Sequence, residues 1–206
     1  MTFPLTKTSF GTYQRYLSAL VGNNAYEAPS LSFDLLATEQ LTAANTGTYT
    51  FTGLVDSYAA DYTHLQVRML CRGNNPNNNL GSSFVNFNNV TTGSSYNWHT
   101  IHGDGSSASV STNNSQSEIK FGSWYTKVND TAGRYGSAIM TIYNAFSTSL
   151  YKTVSSTTVG ISTGGTEVGL QFGLWQNTNA IDQIELDDGT NSWAAGTRFS
   201  LYGWKA

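Results

Sequence analysis

From about residue 34 onward, apolar and polar positions alternate with a period of two. This is the repeat of a strand whose successive side chains point to opposite faces. In GTYTFTGL, Tyr49 and Phe51 oppose Thr48, Thr50 and Thr52. In THLQVRMLC, Leu65, Val67, Met69 and Cys71 share one face, with His64, Gln66 and Arg68 on the other. In SAIMTIYN, Ala138, Met140 and Ile142 alternate with Ile139, Thr141 and Tyr143. In TEVGLQFGLW, Val168, Leu170, Phe172 and Leu174 form an apolar face opposite Glu167, Gly169, Gln171, Gly173 and Trp175. In TRFSLYGWK, Phe199 and Leu201 face one way, Tyr202 and Trp204 the other. Weaker strands read at SSFVNFNNV, SSYNWHTI, SEIKFGSWY, KTVSSTTVGI and AIDQIEL. Turn-forming stretches such as RGNNPNNN, HGDGSS and LDDGTN separate them. The pattern predicts an all-β fold, an antiparallel β-sandwich or jelly roll of about ten strands over residues 34–206. No later stretch has the length for βαβ helices, and no propeller or solenoid repeat is visible.

The first 33 residues read differently. TYQRYLSALVG has Thr12 as an N-cap and Gly22 as a stop, and it puts Tyr13, Tyr16, Leu17 and Leu20 on one helical face. A helix of about three turns is too short to stand alone in water, so it must pack on its own domain or on another protein. Residues 1–33 are therefore expected to form an N-terminal arm with a short helix. Its apolar and aromatic residues Phe3, Leu5, Phe10, Tyr13, Tyr16 and Leu17 are the candidate docking set.

Composition narrows the function classes. Only 11% of residues are charged, against roughly 25% in an average soluble protein. Ser, Thr and Asn fill the gap at about a third of the chain, which suits strands and turns more than helices. The 27 aromatic residues (10 Phe, 12 Tyr and 5 Trp) are enough to fill a core, which excludes a disordered chain. The formal net charge is −3 and Lys and Arg are scattered singly, so the basic stripe of a nucleic-acid binder is missing. No apolar run nears the roughly 20 residues of a membrane-spanning helix, and no secretion signal is visible at the N-terminus. The single cysteine, Cys71, reads as a small buried hydrophobe.

The richest stretch for chemistry is YNWHTIHGDG, which holds His99 and His102, with Asp104 just behind. On a strand, an odd separation sends the two imidazoles to opposite faces, so they cannot jointly chelate without a bulge. Asp104 between two glycines is what a tight turn asks for. The chain has one further histidine, too few for an ordinary zinc set. There is no G-x-S-x-G nucleophile motif, no spaced Asp/Glu calcium loop, and no phosphate-cradling glycine loop before a helix. Asp182, Glu185, Asp187 and Asp188 cluster in AIDQIELDDG, with the last two at a turn. No cofactor, metal or catalytic group is expected. Trp98, Trp124, Tyr125, Trp175, Trp193 and Trp204 could stack on sugar rings, but core or subunit contact is the commoner use of such side chains.

The order DLLATEQLTA, YTFTGLVDSYAADYTHLQVRMLCR, SSYNWHTIHGDGSS, GLWQNTNAIDQIEL and closing WAAGTRFSLYGWKA resembles a β-sandwich domain of tailed-bacteriophage structural proteins, notably those of cyanophages. In that pattern a strand like T-Y-x-H-L-Q-I-R precedes a G-x-G-S turn, here Gly103 to Ser106. The chain closes on F-A-A-G-S-x-F-x-L-Y-G-I-K, with Trp193 standing here for the usual Phe and Trp204 for the usual Ile. The likeness spans about residues 34–206. It implies that His99 and His102 are incidental, since those positions carry unrelated residues in the family. It also implies a non-enzymatic virion protein on the surface of the phage particle. The expected role is a capsid decoration (cement) protein: a homotrimer whose arm docks on the major capsid protein or other virion proteins. The alternative is a tail fibre or receptor-binding tip that recognises a host glycan.

Overall fold

The computed structural model describes residues 33–45, 47–75, 80–162, 165–189 and 192–205. Among these residues twelve strands and one short helix follow in order: β1 (Phe33–Gln40), β2 (Tyr49–Phe51), α1 (Leu54–Tyr58), β3 (His64–Cys71), β4 (Leu80–Phe87), β5 (Tyr96–Gly103), β6 (Ala108–Gln116), β7 (Ile119–Thr126), β8 (Gly136–Tyr143), β9 (Lys152–Ser162), β10 (Gly165–Trp175), β11 (Ile184–Asp187) and β12 (Arg198–Trp204). They form an eight-stranded sheet in the order β1-β12-β3-β8-β9-β10-β5-β6 and a four-stranded sheet in the order β2-β11-β4-β7. Every pairing between these strands is antiparallel. The predicted all-β sandwich is what the chain forms.

All ten expected strands are present. The two extra ones lie at the edges of the large sheet, and each hides for a physical reason. In β1 a register shift between Leu35 and Ala37 breaks the alternation, and neighbouring Leu36 and Ala37 both pack against the core. β6, ASVSTNNSQ, is exposed along nearly its whole length. Among the described strands its pairing is with β5 alone, so no buried face imposes a two-residue pattern on it.

The core lies between the sheets. Trp175, Trp193, Tyr96, Phe87, Phe121 and Phe199 are its largest apolar side chains, with Leu65, Met140 and Ile142 from the centre of the large sheet. The faces predicted for β3, β8 and β12 are the buried ones: Leu65, Val67, Met69 and Cys71, then Ala138, Met140 and Ile142, then Phe199 and Leu201. Burial pushes the Cys71 thiol up to about 12, as a core hydrophobe requires.

β10 inverts the rule. Its inward residues are Gly169, Gln171, Gly173 and Trp175, while Val168, Leu170 and Phe172 point to solvent. The reason is close approach. β7 of the small sheet packs across β9 and β10. A Cβ on Gly173 would lie 2.5 Å from Ile119 Cγ2, and one on Gly169 would meet Gln171 and Thr158. The buried polar atoms satisfy one another: Gln171 Nε2 donates to Thr158 Oγ1 at 3.1 Å, and the Ser156 hydroxyl lies between Gln171 Oε1 and the Phe121 carbonyl.

The closing segment is built into this frame. β12 lies between β1 and β3. Gly196, at φ +86°, sits against the Tyr135 hydroxyl, which donates to the Ala195 carbonyl at 2.7 Å. A Cβ on Gly203 would strike the Tyr62 ring at 2.5 Å. These two glycines of the closing motif therefore serve packing and a left-handed turn.

Candidate interaction surface

In an antiparallel pair, residues directly opposite each other share a face. Register therefore maps the outer surface of the large sheet in rows. One row runs Val110, Ile101, Leu170, Thr157, Ile139 across β6, β5, β10, β9 and β8. A neighbouring row runs Gly103, Val168, Val159, Ser137, Leu70 from β5 to β3. The row on the other side runs Thr112, His99, Phe172, Ser155, Thr141. Leu170 is the centre, flanked along its strand by Val168 and Phe172 and across strands by Ile101 and Thr157. These apolar residues face solvent: Val110 is 76% exposed, Val168 53%, and Ile101 and Phe172 49% each.

Across β6, β5, β10, β9 and β8 this outer face carries no Asp, Glu, Lys or Arg. The charges of the same face begin on β3 and β12. There Arg68 stacks over Phe33 and Tyr202, 4.8 and 4.6 Å from their ring centres, and Arg198 donates to Gln40 at 2.7 Å. The TEVGLQFGLW alternation exposed part of this surface in the sequence. Which of its two faces was external was not legible there, and Val110 in a Ser/Thr/Asn run gave no periodic signal.

The other candidate groups scatter. His99 lies on the outer face, opposite Phe172, and His102 on the inner one, opposite Gly169. The predicted opposition of the two imidazoles is what β5 produces. Asp104 closes the β5–β6 turn. Its Oδ1 accepts the Ser106 and Ser107 N–H groups at 2.8 and 2.7 Å, which hold its carboxyl well below the usual range.

The four acidic residues near β11 take separate roles. Asp182 accepts the Val55 N–H at 3.0 Å at the start of α1, and Glu185 accepts from Asn86 at 2.8 Å. Asp187 accepts the Gly189 N–H and Asp188 the Ser192 N–H, each at 2.8 Å. Burial, then the charges of Asp187 and Glu185, push Glu118 up to about 7. Among the described residues no group of three His, Cys, Asp or Glu is placed to hold a metal ion. The ammonium of Lys152 is held by the carbonyls of Ser147, Leu150 and Thr178 at 2.7, 2.8 and 3.0 Å, pinning two loops together.

Of the aromatic residues named as stacking platforms, Trp98, Trp175 and Trp193 are core residues, while Trp204 reaches solvent beside His64 and Phe33. The side chains of Trp124 and Tyr125 lie outside the described residues, as do all of Phe3, Leu5, Phe10, Tyr13, Tyr16 and Leu17 and the short helix expected around them. No protein-family model matches the chain, and no similar protein was found among curated sequences.

Proposed function

We propose that this protein is a non-enzymatic structural component of a bacteriophage particle, a decoration protein that binds the assembled head and stabilises it as an oligomer. The observation that carries the reading is the closing segment WAAGTRFSLYGWKA, which resembles the end of phage sandwich domains. In this chain Gly196, Phe199, Leu201 and Gly203 of that segment have packing roles. The outer face of β6, β5, β10, β9 and β8, partly apolar and without Asp, Glu, Lys or Arg, supports the same reading, since such a surface suits lasting contact with protein more than transient contact with a small substrate.

Cementing is linkage. A protein that binds only the assembled shell stabilises it by RT ln(1 + [L]/Kd), and several arms on one oligomer raise the effective concentration of each. The arm residues Phe3, Leu5, Phe10, Tyr13, Tyr16 and Leu17 are assigned the docking role in this scheme. Deleting residues 2–31 is expected to abolish occupancy of capsids in a co-sedimentation assay. Full occupancy by the shortened protein would reject the arm as the anchor.

A second reading, a fibre tip that grips a host glycan, draws on solvent-facing Trp204 beside Phe33. Under that reading the purified protein competes with phage for adsorption to cells, and Trp204→Ala removes the competition. A decoration protein does neither.

A further inference from the structure

We infer that the outer face of the eight-stranded sheet, centred on Leu170, is where copies of this chain meet, face inward around a two-fold or three-fold axis. The inference deepens the oligomeric part of the reading above and is independent of its capsid part.

Three observations select a second copy as the occupant. The first is area. With Val159 and Ile161, the apolar residues around Leu170 on the five charge-free strands expose on the order of 700 Å². The largest patch on a typical monomer is about 300–600 Å², and a standard protein interface takes about 800 Å² per partner. The second is charge. A face that meets its own copy near a symmetry axis brings like charges together wherever it is charged, which costs free energy. This face has no formal charge over five strands. Its polar positions, such as Thr157, Ser155 and Thr112, are hydroxyls, which can donate to and accept from their own kind. The third is continuity with an edge that no described strand covers. β6 ends the sheet with nine residues that include no charge and no proline. Edge strands that must stay alone usually carry such groups to block pairing. Val110, the most exposed large apolar residue of the face, sits on this edge.

The test is sedimentation velocity with the full chain at micromolar concentration. The native protein is expected to sediment as a dimer or trimer. Leu170→Glu is expected to weaken association by about 30-fold or more, as a central contact does. If the native protein is a dimer, an equimolar mixture of Leu170→Glu and Leu170→Lys is expected to restore it, because opposite charges then meet across the two-fold axis. Val110→Lys, on a side chain that packs little inside its own sheet, provides the same reading should Leu170→Glu fail to give a native circular dichroism spectrum.

A monomeric native protein overturns the inference, and so does an oligomer of unchanged size in both Leu170→Glu and Val110→Lys. If deleting residues 2–31 turns a native monomer into an oligomer, the face is covered by the chain's own N-terminal segment, which also overturns it. Capsid co-sedimentation is scored separately. Self-association without capsid binding leaves this inference standing and removes the decoration role, while capsid binding by a monomer does the reverse.

Discussion

At the scale of single residues, glycines and buried polar groups decide where the two sheets can touch. Gly173 faces the fully buried Ile119, and a Cβ there would lie 2.5 Å from Cγ2 and 2.9 Å from Cδ1 of that side chain. At those distances Ile119 or the β10 backbone must shift, so Gly173→Ala is expected to cost about 1–3 kcal/mol, readable as a lower denaturant midpoint at unchanged m-value. Glu118 makes stability depend on pH. Its folded pKa of about 7 lies above its ordinary 4.5, so the folded state holds the proton more tightly than the unfolded state does. The contribution is fully present below pH 4.5 and is lost as pH rises through 7. Glu118→Gln should flatten this segment of the stability–pH curve, and the difference between the two curves isolates it from other titrating groups. A difference that grows toward low pH would reverse the sign and refute the assignment.

At the scale of elements, β10 is where pattern and burial part company. Its apolar alternate face is outside, and its interior is Gly, Gln, Gly and Trp. Truncating Gln171 inside should therefore hurt more than truncating Phe172 outside. Gln171→Ala removes its buried hydrogen bonds with Ser156 and Thr158 and empties their fully buried surroundings, and is expected to cost about 1–3 kcal/mol. Phe172→Ser, read in the Leu170→Glu background that keeps copies apart, should change stability by less than about 1 kcal/mol. Urea titrations of the two variants check the order, and a larger loss for Phe172→Ser would mean that β10 is placed the other way round. The edge strands illustrate a related limit. β1 was masked by its register shift and β6 by having no buried face, although both are made by ordinary antiparallel pairing. β3 was legible because it alternates cleanly between the core and the outside, and β8 and β12 because their alternate apolar residues are the ones turned inward.

At the scale of the whole molecule, the sheets are assembled from distant parts of the chain. Phe33 pairs with Trp204, and β11 lies between β2 and β4. Such non-local pairing pays its loop-closure entropy before contacts reward it, which places refolding in the slow range of single domains. β12 carries the greatest topological weight, since it bridges β1 to the rest of the large sheet and buries Phe199 and Leu201. A chain ending at residue 197 is expected to show no cooperative thermal transition by circular dichroism. A native-like melt would mean that β3 can serve as a stable edge. The same scale governs the candidate interface. Val110, Ile101, Leu170 and Ile139 come from four strands, and only the register aligns them in one row.

The sequence by itself determined the class of fold, ten of the twelve strands, the fate of Cys71 and the opposition of His99 and His102. Each of these follows from local periodicity or from the geometry of a single strand. Tertiary structure alone decided which face of β10 is buried, that Gly173 makes room for Ile119, that Glu118 stands near Glu185 and Asp187, and that scattered apolar residues form one uncharged surface. Those outcomes depend on which strands become neighbours and how closely the two sheets approach, and a two-residue alternation reads the same whichever of its faces is turned inward.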